Sequence, residues 1–136
     1  MTHSVYITRP IPAAGLHALK QAGLKYTLHP DSDGPRPDEF ARQAALHDAV
    51  ICQLADRIDE PLLKAAAVRC KIFANCAVGY DNIDVAAAAR LSITITNTPD
   101  VLTETTADLT WALILSAARR LGHAERYRAL AHGGLG

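Results

Sequence analysis

The sequence predicts an α/β fold, in which a parallel sheet carries helices on both of its faces. Short apolar segments of strand length alternate with segments of helical periodicity between residues 5 and 96. The strand segments are apolar, as strands buried on both faces of a sheet should be. A helical segment separates successive strands, and crossovers of this kind join parallel strands.

The first half of the chain supplies three strands and two helices. The first helix is predicted because Leu16, Leu19 and Ala22 share one face, and Gly23 follows as a typical C-terminal glycine. Residues 31–37 are rich in Asp, Gly and Pro, which predicts a loop. The predicted strands are residues 5–8, 25–29 and 49–54, the second of them weak, and the predicted helices are residues 12–22 and 38–46.

The following segment contributes two more strands and two helices. Pro61 favours the first turn of a helix over residues 61–67. Asp81 is predicted to cap another helix, with Asp84 three residues later in a capping-box-like arrangement. The buried face of that helix is predicted to hold Ile83, Ala86, Ala87 and Leu91, and the two strands are residues 71–75 and 93–96.

A long helix is predicted after the sheet, over residues 103–120. Its pattern extends to residue 132, with Gly122 as a weak point that costs about 1 kcal/mol relative to alanine. Two of its faces are apolar, so we expect it to pack on its own domain and also on a further domain or a second subunit. One stripe is formed by Leu109, Ala112, Leu113, Ala117 and Leu121, and the other by Trp111, Ile114, Leu115 and Ala118.

The composition is typical of a globular, soluble protein. Hydrophobic residues make up 49% of the 136 residues and charged residues 21%. The 14 basic and 14 acidic residues balance, so no basic excess favours nucleic acid or an anionic membrane as a partner. The N-terminus lacks a signal-peptide pattern, and the most apolar stretch is shorter than the ~20 residues of a membrane helix. We therefore expect a cytoplasmic protein.

Cysteine and histidine patterns predict no metal site. Cys52, Cys70 and Cys76 match no zinc or redox spacing, so free thiols in a reducing compartment are expected. The glycine-rich residues 133–136 are predicted to be a frayed terminus, because no strand precedes them and no helix follows. The histidines show no ligand spacing and are expected at the surface; they are His3, His17, His29, His47, His123 and His132.

The most informative segment is the turn at residues 75–84, between a predicted strand and a predicted helix. Ligands of open parallel sheets bind beyond the carboxyl ends of the strands. The N–H groups of Ala77, Val78 and Gly79 lie outside the strand ladder, and converging N–H groups of this kind bind anions such as carboxylates. Gly79 permits a close approach of the ligand and a positive φ. The alternative, which the residues alone favour, is that Gly79 only enables a tight turn.

Two segments carry a family resemblance. Residues 77–84, Ala-Val-Gly-Tyr-Asp-Asn-Ile-Asp, resemble the signature of D-isomer-specific 2-hydroxy-acid dehydrogenases. Residues 96–109, followed by residues 117–120, are similar to the glyoxylate/hydroxypyruvate reductase branch of that family, as are the opening residues 7–12. The resemblance spans residues 4–130, with both motifs in the family's order and spacing.

The resemblance implies an NAD(P)-dependent oxidoreductase that reduces a 2-oxo acid such as glyoxylate or hydroxypyruvate. It implies a flavodoxin-like substrate-binding domain at residues 1–99, then a hinge and a long interface helix at residues 100–136 that starts a Rossmann domain. By motif position, the backbone amides of Val78 and Gly79 bind the substrate carboxylate, Leu54 lines the pocket and Thr106 approaches the cofactor, NAD or NADP. A homodimer, or another self-association, through the helix at residues 103–131 is expected.

The family's catalytic groups have no counterpart in this sequence. By family order its arginine and its histidine–glutamate pair lie beyond Gly136, and no G-x-G-x-x-G turn for a cofactor pyrophosphate is present. The sequence therefore predicts the substrate-binding part of a dehydrogenase, inactive alone and without tight cofactor binding. Two alternatives remain: a stand-alone module that binds small carboxylates, and an oligomerising fragment that uses the long helix.

Overall fold

The structure, a computed structural model, describes residues 3–132, with side chains as far as Arg128. The chain divides into two units, Met1–Pro99 and Asp100–Gly136. The predicted frayed terminus at residues 133–136 lies outside the described residues.

The first unit alternates strands with helices, as the sequence predicts. Each strand is three or four residues long, and Pro61 lies in the first turn of its helix. The elements are β1 (Ser4–Ile7), α1 (Ala13–Gln21), β2 (Lys25–Leu28), α2 (Pro37–Leu46), β3 (Ala49–Cys52), α3 (Glu60–Ala66), β4 (Ile72–Asn75), α4 (Val85–Arg90) and β5 (Thr94–Thr96).

The five strands form one parallel sheet in the order β2-β1-β3-β4-β5, which confirms the predicted fold class. This is the flavodoxin-like order, in which β2 is added on one side of β1 and the later strands β3, β4 and β5 are added on the other side. Right-handed crossovers therefore place α1 on one face of the sheet and α2, α3 and α4 on the other. The predicted arrangement of helices on both faces follows from this topology.

The core lies between the sheet and the helices α2, α3 and α4. Tyr6, Val50 and Phe73, from three neighbouring strands, are at most 1% exposed, and they pack with Phe40 of α2 and Leu63 of α3. Burying one such side chain stabilises a fold by about 1.5–3 kcal/mol. This packing fixes the carboxyl ends of β3 and β4, from which the loops of the candidate site emerge.

The predicted cap of α4 is wrong by three residues. Asp84, not Asp81, is the N-cap, and its Oδ1 accepts the hydrogen bond of Ala87 N at 2.8 Å. The helix cannot begin earlier because Ile83 pairs with Ile58 in an isolated parallel bridge, which keeps the backbone there extended. Ile83 and Ala87 are buried as predicted, whereas Ala86 is exposed.

The predicted long helix is two helices, α5 (Thr103–Ala118) and α6 (Leu121–His132). The interruption lies before Gly122, at Arg120, whose φ of 51° is the left-handed conformation that commonly ends helices. Leu109, Trp111 and Leu113 on α5 are 60–64% exposed, so the apolar surface predicted for this segment is uncovered. No helix in the described part of the chain is long and apolar enough to cross a bilayer.

Two histidines expected at the surface are buried. His29 is 8% exposed, and its Nδ1 lies 3.3 Å from the Tyr6 hydroxyl. His47 is also 8% exposed; its ring packs against that of Tyr6 in a tilted arrangement, with 5.6 Å between centroids, and it bonds Gln43 O and Thr27 Oγ1. Each polar ring atom has a neighbour, which offsets the cost of burial. His3, His17 and His123 are exposed as predicted, and the side chain of His132 lies outside the described residues.

Candidate functional site

The loop that follows β4 is held through its carbonyl groups. We call residues 76–80 the amide loop. Three of its successive carbonyl oxygens accept hydrogen bonds from neighbouring segments. Ala77 O accepts from Thr98 N at 2.9 Å, Val78 O from Asn97 Nδ2 at 2.8 Å, and Gly79 O from Asn75 Nδ2 at 2.9 Å.

Those bonds leave N–H groups of the amide loop without protein partners. A trans peptide holds its C=O and N–H antiparallel, and the described residues contain no cis peptide. Fixing the Ala77 carbonyl therefore turns the Val78 N–H to the opposite side of that peptide, and the Val78 carbonyl does the same for the Gly79 N–H. Within residues 3–132, neither N–H donates to a protein acceptor. Adjacent unpaired N–H groups in a turn can bind an anion.

Gly79 does not use the positive φ that glycine permits. In the described chain the glycines with positive φ are Gly23 and Gly34. A Cβ atom at position 79 would meet only Asp81 Oδ2, at 3.9 Å, which is ordinary contact. The turn itself therefore does not require glycine, and the explanation of Gly79 as a conformational necessity loses its support. The place of the absent side chain is open space apart from this contact.

Leu54 lies in a tight turn directly after β3, residues 53–56, which we call the Leu54 turn. Asp56 N donates to Gln53 O at 2.9 Å, and Gln53 N donates to Asp56 Oδ2 at 2.8 Å. These two bonds close the turn and leave the Leu54 side chain 56% exposed at its tip. An apolar side chain is thus presented beside the carboxyl end of the sheet.

The Asp56 side chain anchors the Leu54 turn to β1. Its carboxylate is 3% exposed; Oδ2 accepts from Thr8 Oγ1 at 2.6 Å, and Oδ1 accepts from Arg9 Nε and Nη2 at 3.2 and 3.0 Å. Arg9 also donates to Ser32 O. A Cβ atom at Gly34, whose φ is +79°, would lie 2.7 Å from the Arg9 guanidinium, so this position requires glycine. The ion pair therefore ties the turn to β1 and to the 31–37 loop.

Two open clefts of about 490 Å³ each flank the Leu54 turn. The first lies at the carboxyl ends of β1 and β3 and is lined in part by Arg9, Phe40 and Asp56. The second runs along residues 57–59 and 81–84. Neither is lined by Val78 or Gly79. The Val78 and Gly79 N–H groups therefore do not line either of these two clefts.

Thr106 lies in the first turn of α5, where its N–H donates to Leu102 O at 2.9 Å and its side chain is exposed.

The three cysteines are free thiols, as predicted, with Cys76 exposed at the start of the amide loop. Partial burial raises the pKa of the Cys76 thiol. Among the described residues, no group of three or more His, Cys, Asp or Glu side chains could hold a metal ion.

The sequence interpretation missed three asparagines that hold the two loops. Asn75 ends β4 and is 2% exposed, Asn82 follows the amide loop, and Asn97 follows β5. A signal was available at Asn75, because a buried amide at the end of a strand must bond to a neighbouring turn. The partners of Asn82 and Asn97 come from other segments of the chain, so no local pattern identifies them.

The comparisons with known proteins agree with this architecture. Residues 5–129 match the family model described as "D-isomer specific 2-hydroxyacid dehydrogenase, catalytic domain". The chain is similar to a glyoxylate reductase of Aeropyrum pernix, 56% identical over 125 residues, and to one of Thermococcus kodakarensis, 43% identical over 127 residues. The matches cover 90% and 93% of this chain but only 36% and 38% of those relatives.

Solved structures of similar proteins share the fold. A protein from Thermus thermophilus is 36% identical, with a TM-score of 0.80, over 98% of this chain and 41% of its own. A 2-hydroxyacid dehydrogenase from Ketogulonicigenium vulgare is 29% identical, with a TM-score of 0.75, over 98% of this chain and 41% of its own. The parallel sheet, the motif residues and the family match agree, and the chain belongs to the family of D-isomer specific 2-hydroxyacid dehydrogenases, whose catalytic domain it matches.

Proposed function

We propose that the chain is the substrate-binding part of an NAD(P)-dependent D-2-hydroxy-acid dehydrogenase of the glyoxylate/hydroxypyruvate reductase type. In this proposal the backbone N–H groups of Val78 and Gly79 bind the carboxylate of a 2-oxo acid. The Leu54 side chain forms an apolar wall of the pocket. The names of the similar glyoxylate reductases support this substrate class.

One observation supports the proposal above all. The carbonyl groups of the amide loop accept hydrogen bonds from neighbouring segments, whereas within residues 3–132 the N–H groups of Val78 and Gly79 have no protein partner. Hydrogen bonds to a charged group contribute about 1.5–3 kcal/mol each, roughly twice a neutral one. Two such donors favour a small carboxylate over a neutral ligand. Because Ala77 O and Val78 O are already bonded, the peptide planes that carry the Val78 and Gly79 N–H groups are fixed before a ligand arrives. Fixed planes reduce the entropy that binding costs.

The described residues do not provide a complete nicotinamide site. When bound, the nicotinamide would supply the hydride. Its pyrophosphate normally lies at the N-terminus of a helix that follows a strand and a glycine-rich turn. Here β5 ends at Thr96, and the next helix begins at Thr103 without such a turn. Thr106 is the single residue that the proposal places near the cofactor.

In this proposal, the chain binds and orients the acid but does not reduce it. The relatives are more than twice as long as the matched segment. In the proposal, the hydride donor, the arginine and the histidine–glutamate pair act from the part of the enzyme beyond this segment. The purified 136-residue chain should therefore bind glyoxylate weakly and show no NADH- or NADPH-dependent turnover. Turnover above that of a buffer control would contradict this division.

The direct test is calorimetric titration of the chain with sodium glyoxylate. Gly79→Pro removes the Gly79 N–H, and we expect it to weaken binding by about tenfold or more, since 1.4 kcal/mol corresponds to a factor of ten. Far-ultraviolet circular dichroism of the variant confirms that the sheet persists. Equal affinity of the parent chain and the variant would remove the amide loop from the site.

A second candidate function is a stand-alone module that binds small carboxylates. The same unpaired N–H groups favour it, because they need no cofactor to bind an anion. The two functions differ in the effect of the remaining part of a dehydrogenase. A chimera that joins residues 1–136 to the cofactor domain of a similar glyoxylate reductase should reduce glyoxylate if the first proposal holds. A folded chimera that binds glyoxylate but stays inactive would favour the module.

A further inference from the structure

We propose that Asn82 is a positioning residue that makes the Leu54 turn and the amide loop move as one unit. This inference rests on the proposed function in so far as both loops contact the same ligand. The coupling itself is a property of the unliganded chain and can be measured without a ligand.

The Asn82 side chain bonds to both loops at once. Its Nδ2 donates to Gln53 O at 3.2 Å and to Asp56 O at 2.8 Å, so it holds the two ends of the Leu54 turn. Its Oδ1 accepts from Asn75 Nδ2 at 3.4 Å. The same Asn75 nitrogen donates to Gly79 O at 2.9 Å. A continuous path of amide contacts therefore runs from the Leu54 turn to the Gly79 carbonyl.

The backbone at this position reinforces the connection. Ile58 N donates to Asn82 O at 2.8 Å, and Asp84 N donates to Ile58 O at 2.9 Å. The segment after the Leu54 turn is thereby joined to the segment after the amide loop. Asn82 cannot move away from either loop without breaking these bonds.

Asparagine suits this position because it carries two donors and one acceptor on a short side chain. Both donors face carbonyl oxygens, and the acceptor faces an amide nitrogen. Aspartate would place an oxygen opposite two carbonyl oxygens, and alanine would remove all three contacts. Opening either loop in the parent chain costs contacts to the other, so the two openings are cooperative.

The coupling orients the pair of peptide N–H groups relative to the Leu54 side chain. Each loop alone is a surface turn, and surface turns sample several conformations. A shared bonded residue reduces the number of relative arrangements of the two loops. A ligand that bridges them then meets a site that is already assembled, which lowers the cost of binding.

The test is amide hydrogen exchange, measured by NMR on the ligand-free chain. The Asp56 N–H, bonded to Gln53 O, reports on the Leu54 turn, and the Thr98 N–H, bonded to Ala77 O, reports on the amide loop. The Phe73 N–H in β4 reports on the core. Asn82→Ala should accelerate exchange at Asp56 and Thr98 by about tenfold and leave Phe73 unchanged. Asn82→Asp should act in the same direction without creating a cavity.

The matched control is Asn97→Ala, which deletes the same amide group from a side chain that, among residues 3–132, bonds only Val78 O. It should accelerate Thr98 and leave Asp56 unchanged. Exchange at Asp56 and Thr98 within about twofold of the parent in both Asn82 variants would overturn the coupling. Equal acceleration at Phe73 would also overturn it, because Asn82 would then stabilise the whole fold rather than the two loops.

Addition of glyoxylate separates the two proposals. In the parent chain, a ligand held by the amide loop should slow exchange at Asp56, and in Asn82→Ala this transmitted effect should disappear. A parent chain that shows no response to glyoxylate would defeat the proposed function, while the ligand-free comparison would still decide whether Asn82 couples the loops. If glyoxylate still slows exchange at Asp56 in Asn82→Ala, the positioning role is overturned.

Discussion

The Thr8 hydroxyl lies 2.6 Å from Asp56 Oδ2, and this contact joins the end of β1 to the Leu54 turn. Thr8 is completely buried, and the Asp56 side chain is 3% exposed. The Arg9 guanidinium supplies the charge that balances the buried carboxylate, at 3.0 Å. A buried ion pair of this kind stabilises a particular loop arrangement, because removing one partner leaves the other charge unpaired.

Removing the Asp56 carboxylate should therefore destabilise the chain strongly. We expect Asp56→Ala to lower the free energy of unfolding by about 3–5 kcal/mol, because Arg9 then loses its buried partner. Thr8→Val should cost about 1.5–3 kcal/mol, the contribution of a hydrogen bond to a charged carboxylate. Urea unfolding followed by circular dichroism measures both values.

Arg57 and Asp59 provide the matched control for this ion pair. Arg57 Nε lies 3.3 Å from Asp59 Oδ2, but the Arg57 side chain is 85% exposed. Arg57→Ala should therefore change the free energy of unfolding by less than about 1 kcal/mol. A loss as large as that of Asp56→Ala would show that burial does not determine the contribution of these pairs.

Gly79→Ala separates two roles of glycine in the amide loop. The variant keeps the N–H, and among the described residues other than its two chain neighbours the nearest atom to its Cβ would be Asp81 Oδ2, at 3.9 Å. We expect stability within about 0.5 kcal/mol of the parent, with weaker glyoxylate binding if the ligand approaches the backbone closely. Thermal unfolding and calorimetry measure the two quantities. A large loss of stability would show that the turn requires glycine after all.

The sequence predicted the sheet well because its strands alternate with helical segments and because β1, β3 and β4 are mostly apolar, a pattern that does not depend on distant residues. It failed where a distant residue determines the outcome. Asp81 was predicted to cap α4, but the bridge between Ile58 and Ile83 delays the helix until Asp84. His29 was predicted at the surface, but the Tyr6 hydroxyl lies beside its ring in the interior. The candidate amide loop was predictable, whereas its supports Asn82 and Asn97 act on carbonyls of other segments.

Burial raises the pKa of Tyr6 to about 12 from its ordinary 10.0, and the nearby Glu39 and Asp56 carboxylates act in the same direction. The folded chain therefore holds the phenolic proton more tightly than the unfolded chain. Below pH 10 this difference has no effect on the pH dependence of stability. Between pH 10 and about 12 the unfolded chain ionises first, so the free energy of unfolding should fall as the pH rises.

Tyr6→Phe provides the measurement. Absorbance at about 295 nm, which follows tyrosine ionisation, should show a late-titrating component in the parent that is absent in the variant. The stability of the variant should depend less on pH between 10 and 12. If the free energy of unfolding falls equally steeply with pH in the two proteins, Tyr6 is not the source of this pH dependence.

Cys76 should be the reactive thiol of the chain. It is exposed, whereas Cys52 and Cys70 are completely buried. Because the thiolate is the nucleophile and burial raises the pKa of Cys76, its labelling rate should still increase above pH 9.0. A bulky adduct at Cys76 lies at the start of the amide loop and should weaken glyoxylate binding. Cys76→Ser should abolish rapid labelling, and rapid labelling that persists would contradict this assignment.

The uncovered apolar residues of α5 predict that the chain associates with itself. Leu109 and Leu113 are one helical turn apart and are 60% and 61% exposed, and patches of this kind mark interfaces. Replacing both by lysine should shift the chain toward the monomer in sedimentation equilibrium. Lysine at Ala107 and Thr110 adds the same charge on a different face of α5 and should leave association unchanged. If the parent is a monomer at high concentration, or if both pairs of substitutions act equally, the association does not depend on this apolar stripe.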